Sequence, residues 1–320
     1  MKKILVIGGG AMGSAFTIPC IENNNRVTIT EPYSKIFIKN LSSKNKFHSA
    51  LKIKLPKKLK FRKFSKDLLN EKFDLIVIAL SLSGIDFIGK YLNNLRIKTP
   101  ILVLTKGLKY EKKYTKILTI SEQLEKKYGI KNISVLKGPC LAKELARKNQ
   151  TNVVVASKNI TFAKRIGKII STNYYLTEFS NDIIGIEVCS AIKNIYSMII
   201  GAGQSFNASS NLFQKSIIEM KYLVRYFKGK EETIFGLAGV GDLYVSAAGG
   251  RNSKMGSYLG KGFTFKTAKK RFMPKDTVEG EQLAREIAPY IFKKINNKKI
   301  PLMINLLKTI KENKKLTIKV

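Results

Sequence analysis

Two glycine-rich segments and two lysines carry the chemistry available to this 320-residue chain. The segment from Gly236 to Asn252 reads Gly-Leu-Ala-Gly-Val-Gly-Asp-Leu-Tyr-Val-Ser-Ala-Ala-Gly-Gly-Arg-Asn. Its glycines remove side-chain bulk and permit tight turns. Between them stand one acid (Asp242), one hydroxyl (Ser246) and an arginine–amide pair (Arg251, Asn252). An arginine beside an amide, on backbone that lets a ligand come close, suits a phosphate-bearing small molecule. An ordinary glycine-rich turn is the competing reading of this segment taken alone.

The second segment, Gly8-Gly9-Gly10-Ala11-Met12-Gly13, follows an apolar run and opens a helical pattern, the setting of a dinucleotide-binding Gly-x-Gly-x-x-Gly turn. Gly8 allows the turn, Gly10 lets the backbone approach a pyrophosphate, and Gly13 permits close helix–strand packing. Glu31 ends the next apolar run, 18 residues after Gly13. A carboxylate there accepts hydrogen bonds from an adenosine ribose and repels a 2′-phosphate, which favours NAD over NADP; Lys35 nearby softens that preference, so NADP stays open.

A dinucleotide beside a phosphate site points to hydride transfer, and reducing a ketone also needs a proton donor for the developing alkoxide. The single histidine, His48, lies in a polar stretch that reads as a solvated loop. Tyr226/Lys230 and Tyr290/Lys294 match a Tyr-x-x-x-Lys spacing, but a chain this rich in both residues yields such pairs by chance. Lys193, in Glu187-Val-Cys-Ser-Ala-Ile-Lys-Asn-Ile195, has small and apolar neighbours that would desolvate it and bring its pKa into a useful range. Lys106 follows a strand in Thr105-Lys106-Gly107, and strand C-termini of parallel sheets face the ligand crevice. The bland alternative for either lysine is a snorkelling surface residue.

These residues need a scaffold. Ile4–Ile7, Val27–Thr30, Leu75–Leu80, Ile101–Leu104, Ile133–Leu136 and Val153–Ala156 read as buried strands, with helices at Glu111–Tyr128 and Ile160–Ser171. Buried strands alternating with helices define an α/β chain with a Rossmann-type, doubly wound parallel sheet. Beyond Asp182 the spacing turns helical, at Glu187–Ile200, Leu212–Phe227, Glu281–Lys294 and Pro301–Glu312. The expected division is a dinucleotide-binding domain over 1–184 and an all-helical substrate domain over 185–320.

Composition narrows the classes further. A hydrophobic content of 44% is that of a globular chain. No apolar run is expected to reach the length of a membrane span. Met1-Lys2-Lys3 and the apolar residues after it imitate a signal peptide, but Gly8 to Gly10 break the run, so a first strand is expected. Cys20, Cys140 and Cys189 are too widely spaced for a disulfide framework or a zinc site. No metal is expected, and a reducing cytoplasm fits. The formal charge of +37 attracts anions of every kind. Its lysines are spread along the chain, so no dedicated nucleic-acid partner is expected, and the densest patch, Lys57 to Lys66 with Phe61 and Phe64, reads as a solvated strand and loop.

In this order the motifs resemble the NAD(P)-dependent sn-glycerol-3-phosphate dehydrogenases over nearly the whole chain. The resemblance runs through Gly8–Gly13, Leu55-Pro56, Lys66-Asp67-Leu68, Thr105-Lys106-Gly107 and Gly138-Pro139-Cys140-Leu141-Ala142-Lys143-Glu144. It continues through Ala191-Ile192-Lys193-Asn194, Gly236–Asp242, Gly250-Arg251-Asn252 and Val278-Glu279-Gly280. It implies reduction of dihydroxyacetone phosphate to sn-glycerol 3-phosphate for glycerophospholipid synthesis, by a cytoplasmic homodimer. It makes Lys193 the acid–base residue and has Lys106, Asn194 and Asp242 position the substrate, with Gly138 and Cys140 along it. Arg251 and Asn252 bind phosphate at the substrate–cofactor junction, next to Ser246 and Gly250. Ala142 and Glu279 lie along the cofactor, as do Ala11 and Met12, which stand where bacterial members have Ser-Trp. Cys140 and Gly250 replace serines of the family pattern, Ser246 replaces a threonine, and Asn207-Ala208-Ser209-Ser210-Asn211 lacks the family's lysine. These changes leave two alternatives open: another polyol or keto-sugar phosphate as substrate, or a catalytically silent NAD-binding protein.

Overall fold

The computed structural model describes residues 1–34 and 45–318, so Lys35 lies outside the described residues. The described chain separates into two compact units, one of residues 1–106 and 120–183 and one of residues 107–119 and 184 onward.

The first unit is built on an eight-stranded sheet. In chain order its strands are β1 (Lys3–Ile7), β2 (Arg26–Thr30), then, past the small hairpin of β3 (Phe47–His48) and β4 (Ile53–Lys54), β5 (Lys60–Phe61), β6 (Leu75–Ile78) and β7 (Ile101–Val103). After the hairpin of β8 (Leu108–Glu111) and β9 (Lys116–Thr119), which groups with the second unit, come β10 (Ile133–Lys137), β11 (Thr151–Ala156) and β12 (Tyr175–Ser180). The spatial order β12-β11-β10-β7-β6-β1-β2-β5 reverses direction about β1, the signature of double winding. Helices α1 (Ala11–Glu22), α2 (Lys66–Asn70), α3 (Gly84–Asn94), α4 (Ile120–Tyr128), α5 (Ala142–Ala146) and α6 (Ile160–Ile170) connect the strands. β6, β7 and β10 are buried at every position, as strands covered on both faces must be. Ile4, Val6, Phe16, Val77, Leu102, Val155 and Tyr175 belong to one core.

Two expectations need correction. The sheet is not parallel throughout, because β10 pairs antiparallel with β11. Residues 111–119 are not helical: β8 and β9 form an antiparallel hairpin, and only Ile120–Tyr128 is helix. Thr115 takes a left-handed backbone (φ 48°) that ends the short helical turn of Lys112–Tyr114 and starts β9. Lys60–Phe61 adds an edge strand to β2, and the Phe64 ring packs against Phe87 and Tyr91 at 5.6 and 5.3 Å. That aromatic is engaged in packing within the unit rather than presented to bases.

From Ile184 onward the described residues form helices and turns: α7 (Ile183–Gly201), α8 (Phe206–Tyr226), α9 (Asp242–Ala247), α10 (Arg251–Gly260), α11 (Phe265–Phe272), α12 (Glu279–Lys294) and α13 (Pro301–Glu312). Contrary to the expectation from hydropathy, α7 is long and apolar enough to cross a membrane. It holds Glu187 and Lys193, however, and 89% of the apolar window is buried within the protein, which makes it a core helix. The β8–β9 hairpin packs on α12: the Tyr110 amide donates to Glu286 Oε1 at 2.9 Å and the Tyr110 ring lies 6.0 Å from that of Tyr290.

Candidate active site

In the first unit β1 delivers the chain to Gly8, whose φ of +118° suits glycine alone; a Cβ there would also lie 2.4 Å from the Ala79 carbonyl oxygen. A Cβ on Gly13 would lie 2.0 Å from the Gly8 carbonyl oxygen, so the missing side chain lets α1 seat against the loop. Gly10 differs from both, since nothing lies within 4 Å of the position its Cβ would take. It leads into α1, which has no side-chain cap and no acid in its first turn, and Ala11 and Met12 open that turn. Uncapped amides at a positive dipole end fit a pyrophosphate.

Glu31, just past β2, grips this loop. Its Oε2 accepts from the Gly9 amide at 2.8 Å and its Oε1 from the Tyr33 amide at 3.0 Å. Each carboxylate oxygen keeps a second lone pair, which fits it to ribose hydroxyls. His48 holds the other side of the same peptide and is not a solvated residue; it is 3% exposed. The Leu51 amide donates to Nδ1 at 3.3 Å, so Nδ1 is unprotonated and Nε2 carries the hydrogen that goes to the Gly9 carbonyl oxygen at 3.2 Å. Its neighbour Phe47 faces outward, and this alternation along a two-residue strand is too short a signal to read from a polar sequence window.

At the ends of β7 and β10, Lys106 Nζ donates to the Gly138 carbonyl oxygen at 3.4 Å. Gly138 has φ +122°, and the turn it starts carries Cys140, half-buried, to Ala142 at the first position of α5. The sequence reading missed Lys137 beside them. Its ammonium, buried with the rest of β10, donates to the carbonyl oxygens of Val103 and Thr105. The available signal was a lysine closing a run of four strand residues.

In the second unit α7 presents Lys193, and α9 presents Asp242 and Ser246 one turn apart on one face. Lys193 Nζ donates to Asp242 Oδ1 at 2.8 Å and also to Ser246 Oγ. The side chains of Lys193 and Asp242 are only 8% and 3% exposed. A π-helical turn, Leu237–Gly241, leads into Asp242; such turns are uncommon and recur at functional sites. Beside this group Asn252 Nδ2 donates to Asn194 Oδ1 at 3.1 Å, and Asn252 Oδ1 accepts from the Gly280 amide at 2.9 Å. A Cβ on Gly256 would lie 1.9 Å from the Met198 carbonyl oxygen, so α10 reaches this contact with α7 only because the residue is glycine. Gly250 caps α10, and Arg251 at its first position donates through Nε to the Thr277 carbonyl oxygen at 2.8 Å and pairs with Glu279. The expected residues thus fall into two groups. Gly8 to Gly13, Glu31, Lys106, Gly138, Cys140 and Ala142 lie in the first unit. Lys193, Asn194, Asp242, Ser246, Gly250, Arg251, Asn252 and Glu279 lie in the second. Among the described residues no cluster of His, Cys, Asp and Glu could hold a metal ion. Tyr226 and Tyr290 pair through their hydroxyls at 3.0 Å. Burial, followed by that contact, pushes Tyr226 up to about 12.

A doubly wound unit opening on a glycine loop, followed by a helical unit with a buried lysine–carboxylate pair, is the build of a nicotinamide-dependent oxidoreductase. Residues 3–163 match the NAD-dependent glycerol-3-phosphate dehydrogenase N-terminus and residues 182–319 match its C-terminus, so the chain belongs to that family. It is 31% identical over 280 residues to the NADP(+)-dependent glycerol-3-phosphate dehydrogenase of Archaeoglobus fulgidus, covering 83% of this chain and 82% of that protein. It is 30% identical over 313 residues to the glycerol-3-phosphate dehydrogenase [NAD(P)+] of Francisella tularensis, covering 94% and 91%. The crystal structure of glycerol-3-phosphate dehydrogenase from Coxiella burnetii superposes with a TM-score of 0.85 at 25% identity, covering 98% of this chain and 96% of that one.

Proposed function

We propose that the chain reduces dihydroxyacetone phosphate to sn-glycerol 3-phosphate with a reduced nicotinamide dinucleotide, the reaction being reversible. The observation that carries this reading is the buried Lys193–Asp242 pair within a chain of this family. The cofactor, when bound, supplies the hydride that reaches the ketone carbon. Lys193 then delivers a proton from Nζ to the oxygen of the developing alkoxide, which leaves a secondary alcohol. Asp242 and Ser246 hold Nζ in place for that transfer. Arg251 and Asn252 take the phosphate, Arg251 with the guanidinium hydrogens that Thr277 and Glu279 leave available. Lys106, Asn194, Gly138 and Cys140 contact the rest of the substrate. The α1 amides take the pyrophosphate, Glu31 the adenosine ribose, and Ala142 and Glu279 flank the cofactor. Glu31 makes NADH the preferred donor over NADPH.

Homodimerisation, a cytoplasmic setting and supply of glycerophospholipid synthesis complete the proposal. The test is purified protein with dihydroxyacetone phosphate and either NADH or NADPH, followed by loss of reduced-nicotinamide absorbance. No oxidation of either cofactor over a broad pH range overturns the reading. A second reading keeps the reaction and changes the keto-phosphate. It is favoured by Cys140 and Gly250, which stand where the family pattern has serines. A panel of keto-phosphates compared by kcat/KM separates the two.

A further inference from the structure

The lysines at the ends of β7 and β10 reach across one another. Lys106, following β7, donates to the Gly138 carbonyl oxygen just beyond β10. Lys137, the last residue of β10, donates to the Val103 carbonyl oxygen at the end of β7 at 3.1 Å and to that of Thr105 at 2.6 Å. Each ammonium ties down the end of the other lysine's strand. Lys137 is 2% exposed, and taking an ammonium out of water costs several kcal/mol unless its hydrogens find acceptors. An apolar side chain would fill this place at the end of a fully buried strand without that cost.

What the buried ammonium grips gives it a use. The Thr105 carbonyl belongs to the peptide plane that ends in the Lys106 nitrogen, so fixing its oxygen fixes the orientation of that plane. The Thr105 hydroxyl donates to the Leu80 carbonyl oxygen at 2.8 Å and anchors the same residue from the neighbouring strand end. The turn carrying Lys106 is therefore held from β10 on one side and from the segment after β6 on the other. We propose that Lys137 is a positioning residue for Lys106: it holds the Thr105–Gly107 turn so that the Lys106 ammonium meets the phosphorylated keto substrate at a fixed place. This inference rests on Lys106 being a substrate contact.

The test is a double-mutant cycle on the full chain with Lys137→Met, Lys106→Met and the double variant. It measures kcat and KM for dihydroxyacetone phosphate, NADH affinity by fluorescence, and thermal stability. Lys137→Met is expected to raise the KM for dihydroxyacetone phosphate about tenfold and to leave NADH affinity within about twofold. In the Lys106→Met background the same substitution should add less than about twofold, because its effect acts through Lys106. Lys137→Gln, which keeps a donor for one carbonyl, should fall between wild type and Lys137→Met. If Lys137→Met fails to fold, Lys137→Gln carries the same cycle. A costly Lys106→Met beside a harmless Lys137 substitution, or losses that multiply in the double variant, overturns the positioning role. A harmless Lys106→Met overturns the reading of Lys106 itself, and the inference falls with it.

Discussion

Lys193 and Asp242 meet at 2.8 Å with both side chains withdrawn from water, and Ser246 lies one turn beyond Asp242 on the same face of α9. A pair placed this way is vulnerable on one side at a time. Removing one partner leaves a buried charge without its counter-ion, which costs about 3–5 kcal/mol, whereas removing both exchanges a desolvated pair for packing.

Stability and turnover should therefore separate at this pair. Lys193→Met is expected to lower kcat by about 10²–10⁴-fold, the range of a lost general acid. Asp242→Leu should lower both kcat and stability. The double variant Lys193→Met/Asp242→Leu should regain much of the stability lost in either single variant and none of the activity. Chemical denaturation and steady-state kinetics on the four proteins check this. A double variant that is catalytically active removes Lys193 from the reaction.

Glu31 governs a second prediction. Its carboxylate holds the Gly9 and Tyr33 amides, so replacing it disturbs the loop as well as the proposed ribose contact. Glu31→Ser should lower kcat/KM for NADH about tenfold, consistent with the loss of a charged hydrogen bond, and lower that for NADPH much less. The ratio of the two cofactors, measured with one substrate, is the readout. An unchanged ratio would mean that the carboxylate shapes the loop without reading the ribose.

The sequence was legible where one physical cause dominates. β6 and β7 are covered on both faces and are uninterrupted apolar runs, and β1 and β10 depart from this only at Lys3, Ser134 and Lys137. The hairpin of β8 and β9 was hidden because Lys109, Lys112, Lys113 and Lys116 break up its short apolar stretches, and β9 buries Ile117 and Leu118 on both faces instead of alternating. The antiparallel entry of β11 leaves no trace in a run such as Val153–Ala156, since direction is not encoded in apolarity. Asp242, Arg251 and Asn252 stood out because charged and amide groups between glycines have few other uses. His48 and Lys137 did not, because each is polar by type and buried only through tertiary contacts that no window of neighbours encodes.

His48 makes the third prediction. One ring nitrogen donates to the Gly9 carbonyl oxygen and the other accepts from the Leu51 amide, so the ring bridges the glycine loop and the turn after β3. His48→Phe keeps a ring but removes one partner each from the Leu51 amide, which still donates to the His48 carbonyl oxygen, and from the Gly9 carbonyl oxygen, which still accepts from Ser14 Oγ, at a cost of about 1 kcal/mol each. The variant should lose stability and bind NADH several-fold more weakly, with the KM for dihydroxyacetone phosphate nearly unchanged at saturating cofactor. Unfolding curves and cofactor titrations test both parts, and a full-strength NADH affinity would dissociate the ring from the loop's function.

Glu219 offers a prediction about pH. It sits on α8, buried, where its two oxygens accept from the Leu302 and Met303 amides at 2.6 and 3.0 Å at the start of α13, and from the Tyr196 hydroxyl at 3.0 Å. Burial outweighs these three donors and raises its pKa from the ordinary 4.5 to about 7. Below 4.5 the group is protonated in both folded and unfolded chains. Between 4.5 and 7 the folded chain binds the proton more tightly, so this group's contribution to stability is greatest at the acid end and declines as pH rises through the window. The decline amounts to at most about 3 kcal/mol by the usual conversion of pKa into free energy. Glu219→Gln cannot ionise, so its stability relative to wild type should improve steadily from the acid end of the window to neutrality and then level off. Urea unfolding of both proteins at a series of pH values provides the comparison. A difference between them that does not vary with pH would show that Glu219 keeps the same protonation state folded and unfolded.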